Sequence, residues 1–406
     1  MHILFAHKNF PAQFGHIAAS LIRERGHQCT FISETPPGIV GGIRKIQYKP
    51  RGNANQSTHY CARTFENGLW HCSGIYRALR PLRDSLKPDL IVGHSGFGST
   101  LFLPELFPGV PIINYFEYYY HPRSSDIDFR PEWPVLEQDV LRSYARNAML
   151  LLDLENCTAG YSPTHFQHSF LPETYKPKVR VLHDGVDTSF WRRVPLAERV
   201  LGNRKFGPNT RIVTYVSRGF ESMRGFDIFM KTAKRICEAL PNVVFLVVGS
   251  ERVCYGGDLK RIQAKSFKEY VLKQDKYDLK RILFLGPVKP NVLAHILNLS
   301  DLHIYLTVPF VLSWSMLDAM ACGCTMLASN TAPVQEVIQH GQNGLLGEFF
   351  DVNKLAATAV EVLKDPAAYR HLGQAAEQTI ADKYSLKLIL PQITEFYEQV
   401  AAKRTR

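Results

Sequence analysis

Residues 211–249 read RIVTYVSRGFESMRGFDIFMKTAKRICEALPNVVFLVVG, and this stretch decides the fold. It begins and ends with short apolar runs, at 212–216 and 243–248, which predict buried strands. Between them, apolar residues from Gly225 to Leu240 recur with helical spacing. A strand, a helix and a second strand in this order predict a parallel sheet with a helix on one face.

The same alternation extends in both directions from this unit. A helix is predicted from Phe14 to Arg25, where Gly26 ends it. Further short apolar strands are predicted at 2–6, 29–32, 90–92, 112–116, 282–285 and 302–306. A chain of 406 residues is too long for one core. The sequence therefore predicts an α/β protein of two doubly wound, Rossmann-like domains that face each other across a cleft.

The domain boundaries follow from changes in composition. Residues 181–187 predict a strand that runs into a tight turn, and the polar, proline-bearing stretch after it, up to Pro208, predicts a linker. We therefore place an N-terminal domain at 1–195 and a C-terminal domain at 196–380. Residues 381–406 form a third segment, an amphipathic helix expected to pack back on the first domain.

Composition and charge limit the classes of function. Apolar residues make up 45% of the chain and charged residues 21%, which excludes disordered and coiled-coil classes. No apolar run reaches the roughly 18 residues of a spanning helix, and the N-terminus predicts an opening strand without a signal peptide, hence a cytoplasmic protein. A net charge of +11 favours anionic partners such as nucleotides or the inner face of a membrane. No nucleic-acid-binding module is recognisable, and the eight scattered cysteines predict free thiols without zinc.

The first group of residues with chemical potential is 217–225, Ser-Arg-Gly-Phe-Glu-Ser-Met-Arg-Gly. It leaves a predicted strand and opens a helix, and it carries two guanidiniums, Arg218 and Arg224. Arginine donates in a planar fork suited to phosphate oxygens, and a helix N-terminus adds backbone N–H groups. Two such cations can hold a diphosphate, although a solvated basic loop would show the same spacing.

The second group lies at 309–323, in the loop after a predicted strand and the helix that follows it. Ser313 is expected to cap that helix, with the N–H groups of Trp314 and Ser315 pointing at an anion. Asp318 lies one turn further on, where a carboxylate can accept hydrogen bonds from a ribose diol. Taken alone, Asp318 is equally well an acid on a helix surface.

These segments resemble the family 4 retaining glycosyltransferases of GT-B fold. Residues 309–323 are similar to that family's Glu-Gly-Phe-Gly-Leu-x-x-x-Glu-Ala-Met-Ala-x-Gly motif, and Arg218 with Arg224 resembles its diphosphate clamp. The turn at 183–187 resembles its Asn-Gly-Val-Asp, and residues 331–346 resemble its closing motif. The order and spacing agree from about residue 180 to 350. Segments 93–98 and 115–119 resemble a bacterial branch of the family that carries a variant of the motif.

The resemblance implies that the N-terminal domain binds the acceptor and the C-terminal domain binds the donor. It also implies roles for individual residues, and it shows three departures. Phe310 and Asp318 stand where the family has two glutamates, the first on the donor sugar and the second on the ribose, and Glu117 stands at the family's acceptor-side histidine. Donor contacts are expected at Gly15, Ser217, Gly249, Gly286, Val288, Ser313, Trp314, Ser315 and Asp318, and acceptor contacts at His94, Gly96, Phe97 and Tyr119. Arg218, Arg224 and Glu117 are the expected catalytic residues. Glu117 would hold the donor sugar or the acceptor hydroxyl, or act as a base; the alternative is an acid that ends a strand and pairs with a cation such as Arg123.

The implied activity is retaining transfer of a sugar from a nucleotide diphosphate sugar, with UDP preferred and GDP next, to an acceptor hydroxyl. The acceptor would be a carbohydrate, a lipid-linked molecule or a small molecule used in cell-surface polysaccharide, glycolipid or glycoconjugate synthesis. Neither a cofactor nor a metal is expected, because Asp126 and Asp128 form only an isolated Asp-x-Asp pair. The alternatives are a sugar-nucleotide epimerase and a relative that binds nucleotide sugars without catalysis. The positive charge further predicts peripheral contact with a membrane and no nucleic-acid partner.

Overall fold

The computed structural model of the protein describes residues 1–96 and 100–403. Its strands are β1 His2–Ala6, β2 Gln28–Ser33, β3 Gly38–Val40, β4 Ile43–Gln47, β5 Leu90–His94, β6 Ile112–Tyr115, β7 Ala159–Ser162, β8 Val179–Val181, β9 Val200–Leu201, β10 Arg204–Lys205, β11 Arg211–Gly219, β12 Val243–Ser250, β13 Ile282–Gly286, β14 Leu302–Tyr305, β15 Met326–Ser329 and β16 Leu345–Gly347. Its α-helices are α1 Gly15–Arg25, α2 Arg63–Leu79, α3 Glu137–Arg146, α4 Ala148–Asn156, α5 His165–Ser169, α6 Phe226–Ala239, α7 Phe267–Gln274, α8 Pro290–Leu299, α9 Trp314–Ala321, α10 Ala332–Gln335, α11 Val352–Lys364, α12 Arg370–Lys383 and α13 Leu386–Ala401. In the described part of the chain, no helix is long and apolar enough to cross a bilayer.

The chain divides into two units, of which the first comprises Met1–Gly185 and the C-terminal residues from Lys387 onward. Its sheet has the strand order β3-β4-β2-β1-β5-β6-β7-β8. Every neighbouring pair is parallel except β3 with β4. The order reverses between β1 and β5, and ligands of such sheets bind at this kind of switch point.

Both faces of the first sheet are covered because its strands are apolar on both sides. In β1, Ile3 and Phe5 pack on one side, with α1 and α13, while Leu4 and Ala6 pack on the other, with α2 and α4. The buried face of α13 carries Ile389, Ile393, Phe396, Tyr397 and Val400. The C-terminal helix is thus part of the first unit's core.

The second unit comprises Val186–Leu386. Its sheet has the order β13-β12-β11-β14-β15-β16 and is parallel throughout, with the switch point between β11 and β14. Helices α8, α9 and α12 pack on one face. Phe226 and Phe229 of α6 pack on the other face, against Tyr215 of β11. The two predicted parallel α/β sheets are confirmed.

The contacts place the division between the units earlier than composition suggested. Residues after Gly185 belong to the second unit: Val186 lies in its core and forms a β-bridge with Ser385. The N–H of Val194 donates to the Asn298 side-chain oxygen at 2.7 Å. The stretch up to Pro208, expected as a linker, instead forms the β9–β10 hairpin and buries Phe206. A few apolar side chains are sufficient to attach a mostly polar segment to the second unit. The composition of the segment does not show this attachment.

Candidate functional site

The predicted residues of the second unit collect where the loops after β11 and β14 meet. The loop after β11 forms a short 3-10 turn, Ser222–Arg224, that ends at Gly225. Gly225 has a φ of 60°, and a Cβ there would lie 2.7 Å from the Leu306 Cβ. Only glycine lets this turn lie so close to the end of β14. The turn directs Arg224 toward the residues that follow β14.

Arg224 is a buried cation in a polar and aromatic setting. Its guanidinium is almost fully buried, and Nη1 donates to the Thr307 hydroxyl at 2.8 Å and to the Tyr305 hydroxyl at 3.3 Å. The rings of Tyr255 and Phe310 lie 5.1 and 5.9 Å from its central carbon. Arg224 forms no ion pair with a carboxylate of the described residues. The Glu221 charge attracts this guanidinium only from beyond ion-pair distance. Because burying a charge without a close ion pair costs free energy, the arrangement suits an anionic ligand.

Two carboxylates join the loop after β11 to the loop after β12 in opposite directions. Oε2 of buried Glu221 accepts the N–H groups of Cys254, Tyr255 and Gly256 at 2.8–3.1 Å. Asp258 in turn accepts the N–H and the hydroxyl of Ser222. Burial raises the pKa of Glu221, although these N–H donors oppose the rise. Together, the hydrogen bonds of Glu221 and Asp258 hold the loop after β12 in place, with the Tyr255 ring over Arg224.

Arg218, Ser217 and Gly249 form the ends of the two central strands. Arg218 is exposed, and its carbonyl accepts the Ser250 hydroxyl at 2.8 Å. Ser217 is buried, with its hydroxyl donating to the Gly219 carbonyl at 3.0 Å. Gly249 has a φ of 152°, and a Cβ there would lie 2.4 Å from the Ser217 carbonyl oxygen. Glycine at position 249 is therefore needed for the approach of β11 to β12, with the Ser217 backbone as its close neighbour. Their contact with a ligand stays a prediction.

Further predicted residues lie at the end of β13 and at the start of α9. Gly286 ends β13 with a φ of 68°, and half-buried Val288 packs against the core. Ser313 takes the N-cap position of α9, but its hydroxyl does not accept a helix N–H. The expected side-chain cap is wrong, because the Ser313 hydroxyl lies 2.9 Å from the Ser315 hydroxyl while its own N–H donates to Tyr305. Trp314 is 47% exposed at the start of the helix.

Asp318 differs from an ordinary surface acid. It is half-buried on α9, and no described residue forms a hydrogen bond or ion pair with its carboxyl group. Burial raises the pKa of Asp318 to about 8. A carboxyl group that is desolvated without a partner is suited to accept hydroxyl groups of a ligand.

In the first unit, the structure brings the predicted His94 and Glu117 together at the switch point. Nε2 of His94 lies 3.7 Å from a Glu117 carboxylate oxygen, and Nδ1 lies 2.8 Å from the Ser95 carbonyl. Burial lowers the pKa of His94 to about 4, so the imidazole is neutral at pH 7. The ring of His7, which follows β1, lies 5.1 Å from that of His94. Burial likewise lowers the pKa of His7, to about 3.

The remaining predicted residues of this unit are Gly15, Gly96, Phe97 and Tyr119. A Cβ at Gly15 would lie 2.4 Å from the Pro11 Cβ, which gives this glycine a packing role at the start of α1. Gly96 has a φ of 84°. Tyr119 is half-buried, with its ring 5.6 Å from that of His121. Phe97 lies outside the described residues.

The Asp-x-Asp pair serves the loop that contains it. Asp126 accepts the Tyr118 hydroxyl at 2.8 Å, and Asp128 accepts the N–H groups of Ser124 and Ser125. Across residues 1–96 and 100–403, no three His, Cys, Asp or Glu side chains come together as a set of metal ligands.

Several residues of these sites were missed or given no role from the sequence. Thr307 and Tyr305 hold the Arg224 guanidinium, Glu221 fixes the loop over it, and His7 adjoins His94. His7 and Thr307 follow strands that flank the switch points, so their position along the chain is the signal that identifies them. For Glu221, no local signal exists, because its partners follow a different strand.

Two family models match the chain. The model "Glycosyl transferase family 4 group" matches residues 25–191, and "Glycosyl transferases group 1" matches residues 202–379. Between them they account for most of both units.

Curated relatives match over part of their length. N-acetyl-alpha-D-glucosaminyl L-malate synthase of Bacillus anthracis is 33% identical over 120 residues, 30% of this chain and 31% of the relative. Alpha-maltose-1-phosphate synthase of Mycolicibacterium smegmatis is 25% identical over 236 residues, 55% of this chain and 58% of the relative. The chain thus spans less than two thirds of the length of these relatives.

Solved structures match over nearly the whole chain. Sucrose-phosphate synthase from Thermosynechococcus elongatus has a TM-score of 0.74 at 18% identity, over 99% of both chains. Anabaena HepE in complex with UDP-glucose has a TM-score of 0.71 at 15% identity, over 98% of this chain and 100% of that one. These similarities establish the GT-B fold. The two family matches together show that the chain belongs to the family 4 glycosyltransferases.

Proposed function

We propose that this protein is a retaining glycosyltransferase that moves a sugar from a nucleotide diphosphate sugar to an acceptor hydroxyl. The observation that carries the proposal is the buried Arg224 guanidinium at the switch point of the second unit, which forms no ion pair with a carboxylate of the described residues. Its fork of donors suits a diphosphate, and Arg218 at the end of β11 adds a second cation. The half-buried Asp318 would accept the ribose hydroxyls.

The demand on the protein in this reaction is to stabilise a leaving group. As the bond between the anomeric carbon and the diphosphate oxygen breaks, negative charge grows on the diphosphate and the sugar becomes oxocarbenium-like. Arg224 and Arg218 would neutralise that charge with donors already in place, helped by the N–H groups at the start of α9. Since these two cations would neutralise the charge, we propose that no metal is needed. Attack by the acceptor hydroxyl from the face that the diphosphate leaves gives retention.

Glu117 would serve the acceptor or the donor sugar in the first unit. Its half-buried carboxylate adjoins the neutral His94 imidazole at 3.7 Å, so an added hydroxyl would find an acceptor at Glu117 and a second polar group beside it. A hydroxyl held in this way is oriented for attack and can pass its proton on.

Phe310 would influence which donor sugar the protein accepts. It is buried in the contact with Tyr255, where the ring centroids lie 5.6 Å apart, and it occupies the position at which the family motif has its first glutamate. The donor sugar would therefore meet an aromatic wall instead of a carboxylate. UDP is the preferred nucleotide, since the similar HepE structure contains UDP-glucose, and GDP is the next candidate.

The experiment is calorimetry of the intact chain with UDP, GDP, ADP, TDP and their common sugars, without metal. We expect one diphosphate to bind, and its sugar to be transferred with retained configuration. If none of the nucleotides binds, the proposal is wrong. Loss of binding on addition of EDTA would refute metal independence.

The product would belong to cell-surface polysaccharide, glycolipid or glycoconjugate synthesis, and the +11 charge would bring the protein to anionic lipid. Sedimentation with anionic vesicles at low salt tests the lipid contact. An unchanged supernatant fraction contradicts it.

A further inference from the structure

Helix α3 of the first unit carries two arginines that form no ion pair with the described residues. Arg142 and Arg146 lie one turn apart, and both are half-buried. The central carbon of Arg142 lies 5.1 Å from the ring centroid of Tyr60, and that of Arg146 lies 3.5 Å from the ring centroid of Tyr120. Neither arginine has an ion pair or a side-chain hydrogen bond with the described residues, and Nε of Arg146 is buried without a partner.

This arrangement costs free energy in the absence of a ligand. Like charges one turn apart on a helix repel each other, and a buried N–H without an acceptor loses its hydration. Two nearby acids form hydrogen bonds with tyrosines, since Asp139 accepts the Tyr60 hydroxyl at 2.9 Å and Asp126 accepts that of Tyr118. The charge of Arg146 lowers the pKa of Asp126 without an ion pair between them, and burial of Asp126 outweighs that effect. A tyrosine face holds each guanidinium while leaving its N–H edge for a planar oxyanion.

The pair is connected to Glu117 through one short segment. Asn147 follows Arg146, and its side chain bonds both the N–H and the carbonyl of Tyr120, at 2.9 and 2.7 Å. Tyr120 lies shortly after Glu117 in the chain. Burial raises the pKa of the Tyr120 phenol; the positive charges of Arg146 and Arg142 oppose that rise, and the charge of Glu117 adds to it. One side chain therefore lies within the field of all three groups.

We propose that the acceptor carries an oxyanion, a phosphate or a carboxylate, which Arg142 and Arg146 bind so that the acceptor hydroxyl is held at Glu117. This inference rests on the proposed function, because it takes Glu117 as the acceptor-side residue. The anion supplies an ion-pair partner at contact distance and the missing acceptor for Nε of Arg146.

The test is arginine labelling of the intact chain with hydroxyphenylglyoxal, read out at each residue by mass spectrometry. Three probes are compared: glycerol 3-phosphate, succinate and glycerol. We expect an anionic probe to slow labelling of Arg142 and Arg146 at least fivefold, and glycerol to have no effect. The anion that protects more strongly identifies the group as phosphate or carboxylate. Arg63 is the internal control, because it also faces Tyr60 but donates to the carbonyls of Thr58 and Gln56.

Substitutions of the two arginines measure how much each contributes to binding the anion. Arg142→Gln and Arg146→Gln should each raise the Kd for the protecting anion at least tenfold, while Arg63→Gln leaves it unchanged. Absence of protection, equal protection at Arg63, or variants that bind as the unmodified protein does would overturn the proposal. A parallel arm with UDP should protect Arg218 and leave the labelling of Arg142 and Arg146 unchanged. If UDP fails to do so while the anion protects Arg142 and Arg146, the proposed function fails and the anion site stands.

Discussion

Replacing Arg224 by methionine should separate ligand binding from stability. Methionine keeps a long apolar stem beside Tyr255 and Phe310 but removes the charge and the hydrogen bonds to Thr307 and Tyr305. Both hydroxyls keep another bond, since Tyr305 accepts the Ser313 N–H and Thr307 donates to the Val308 carbonyl. The substitution therefore leaves neither hydroxyl unpaired.

The expected magnitudes follow from these contacts. Two bonds from a charged donor are lost, each about 1.5–3 kcal/mol, but the cost of burying an unpaired cation, of order several kcal/mol, disappears as well. We expect the free energy of unfolding without ligand to change by less than about 2 kcal/mol. The transition state loses a preorganised donor, about 2.7–4 kcal/mol, so turnover should fall roughly a hundred- to a thousandfold.

The assays are urea unfolding of the ligand-free protein, calorimetric titration with UDP, and sugar transfer to water or acceptor from a UDP-sugar. Arg199→Gln is the matched control, because its guanidinium pairs with Asp301 at 2.6 Å in the same unit. This control should lose stability and keep its affinity for UDP. A fall in turnover of less than fivefold for Arg224→Met, with the fold intact, would refute the role assigned to this cation.

Three further outcomes are expected in the second unit. Arg218→Ala should lower turnover at least about a hundredfold, because a leaving-group donor is lost; a change under fivefold in steady-state assays removes the assigned role. Because burial raises the pKa of Asp318 from 3.8 to about 8, its contribution to stability is full below pH 3.8 and is lost as the pH rises through 8. Asp318→Asn should thus stabilise the ligand-free protein at pH 9 by at least about 1 kcal/mol relative to its effect at pH 4 and weaken nucleotide binding; equal thermal shifts at both values contradict this. Glu221→Ala should speed amide exchange at 254–256 at least about tenfold, since three N–H groups lose their acceptor; unchanged exchange there would show that another group holds the loop.

Much of the fold was predictable because the strands are buried on both faces. The apolar runs at 212–216 and 243–248 lie within β11 and β12, and the helix predicted between them is α6 to within a residue at each end. Gly26 ends α1 as predicted, with a φ of 64°. The stretch from 186 to 208 was less predictable, because its attachment depends on a few side chains, among them Val186, Trp191 and Phe206.

Part of the candidate site was likewise predictable from the sequence, and part of it was not. Arg224 and Asp318 were identifiable because each follows a strand in a recognisable pattern. The sequence did not show that Arg224 is buried or that the Asp318 carboxyl group lacks a partner, since both depend on side chains from other loops. Ser313 shows the opposite case, in which the expected local cap yields to a hydroxyl contact with Ser315.

The sequence by itself determined the alternation of strands and helices, the two parallel sheets and the residues at their strand ends, because these depend on local periodicity and chain order. Only the tertiary structure decided which of those residues meet. Glu221 with the 254–256 loop, His94 with Glu117, and Arg146 with Tyr120 are each contributed by different loops or helices. Contacts of this kind have no local signature, since desolvation and pairing arise only when separate segments pack together.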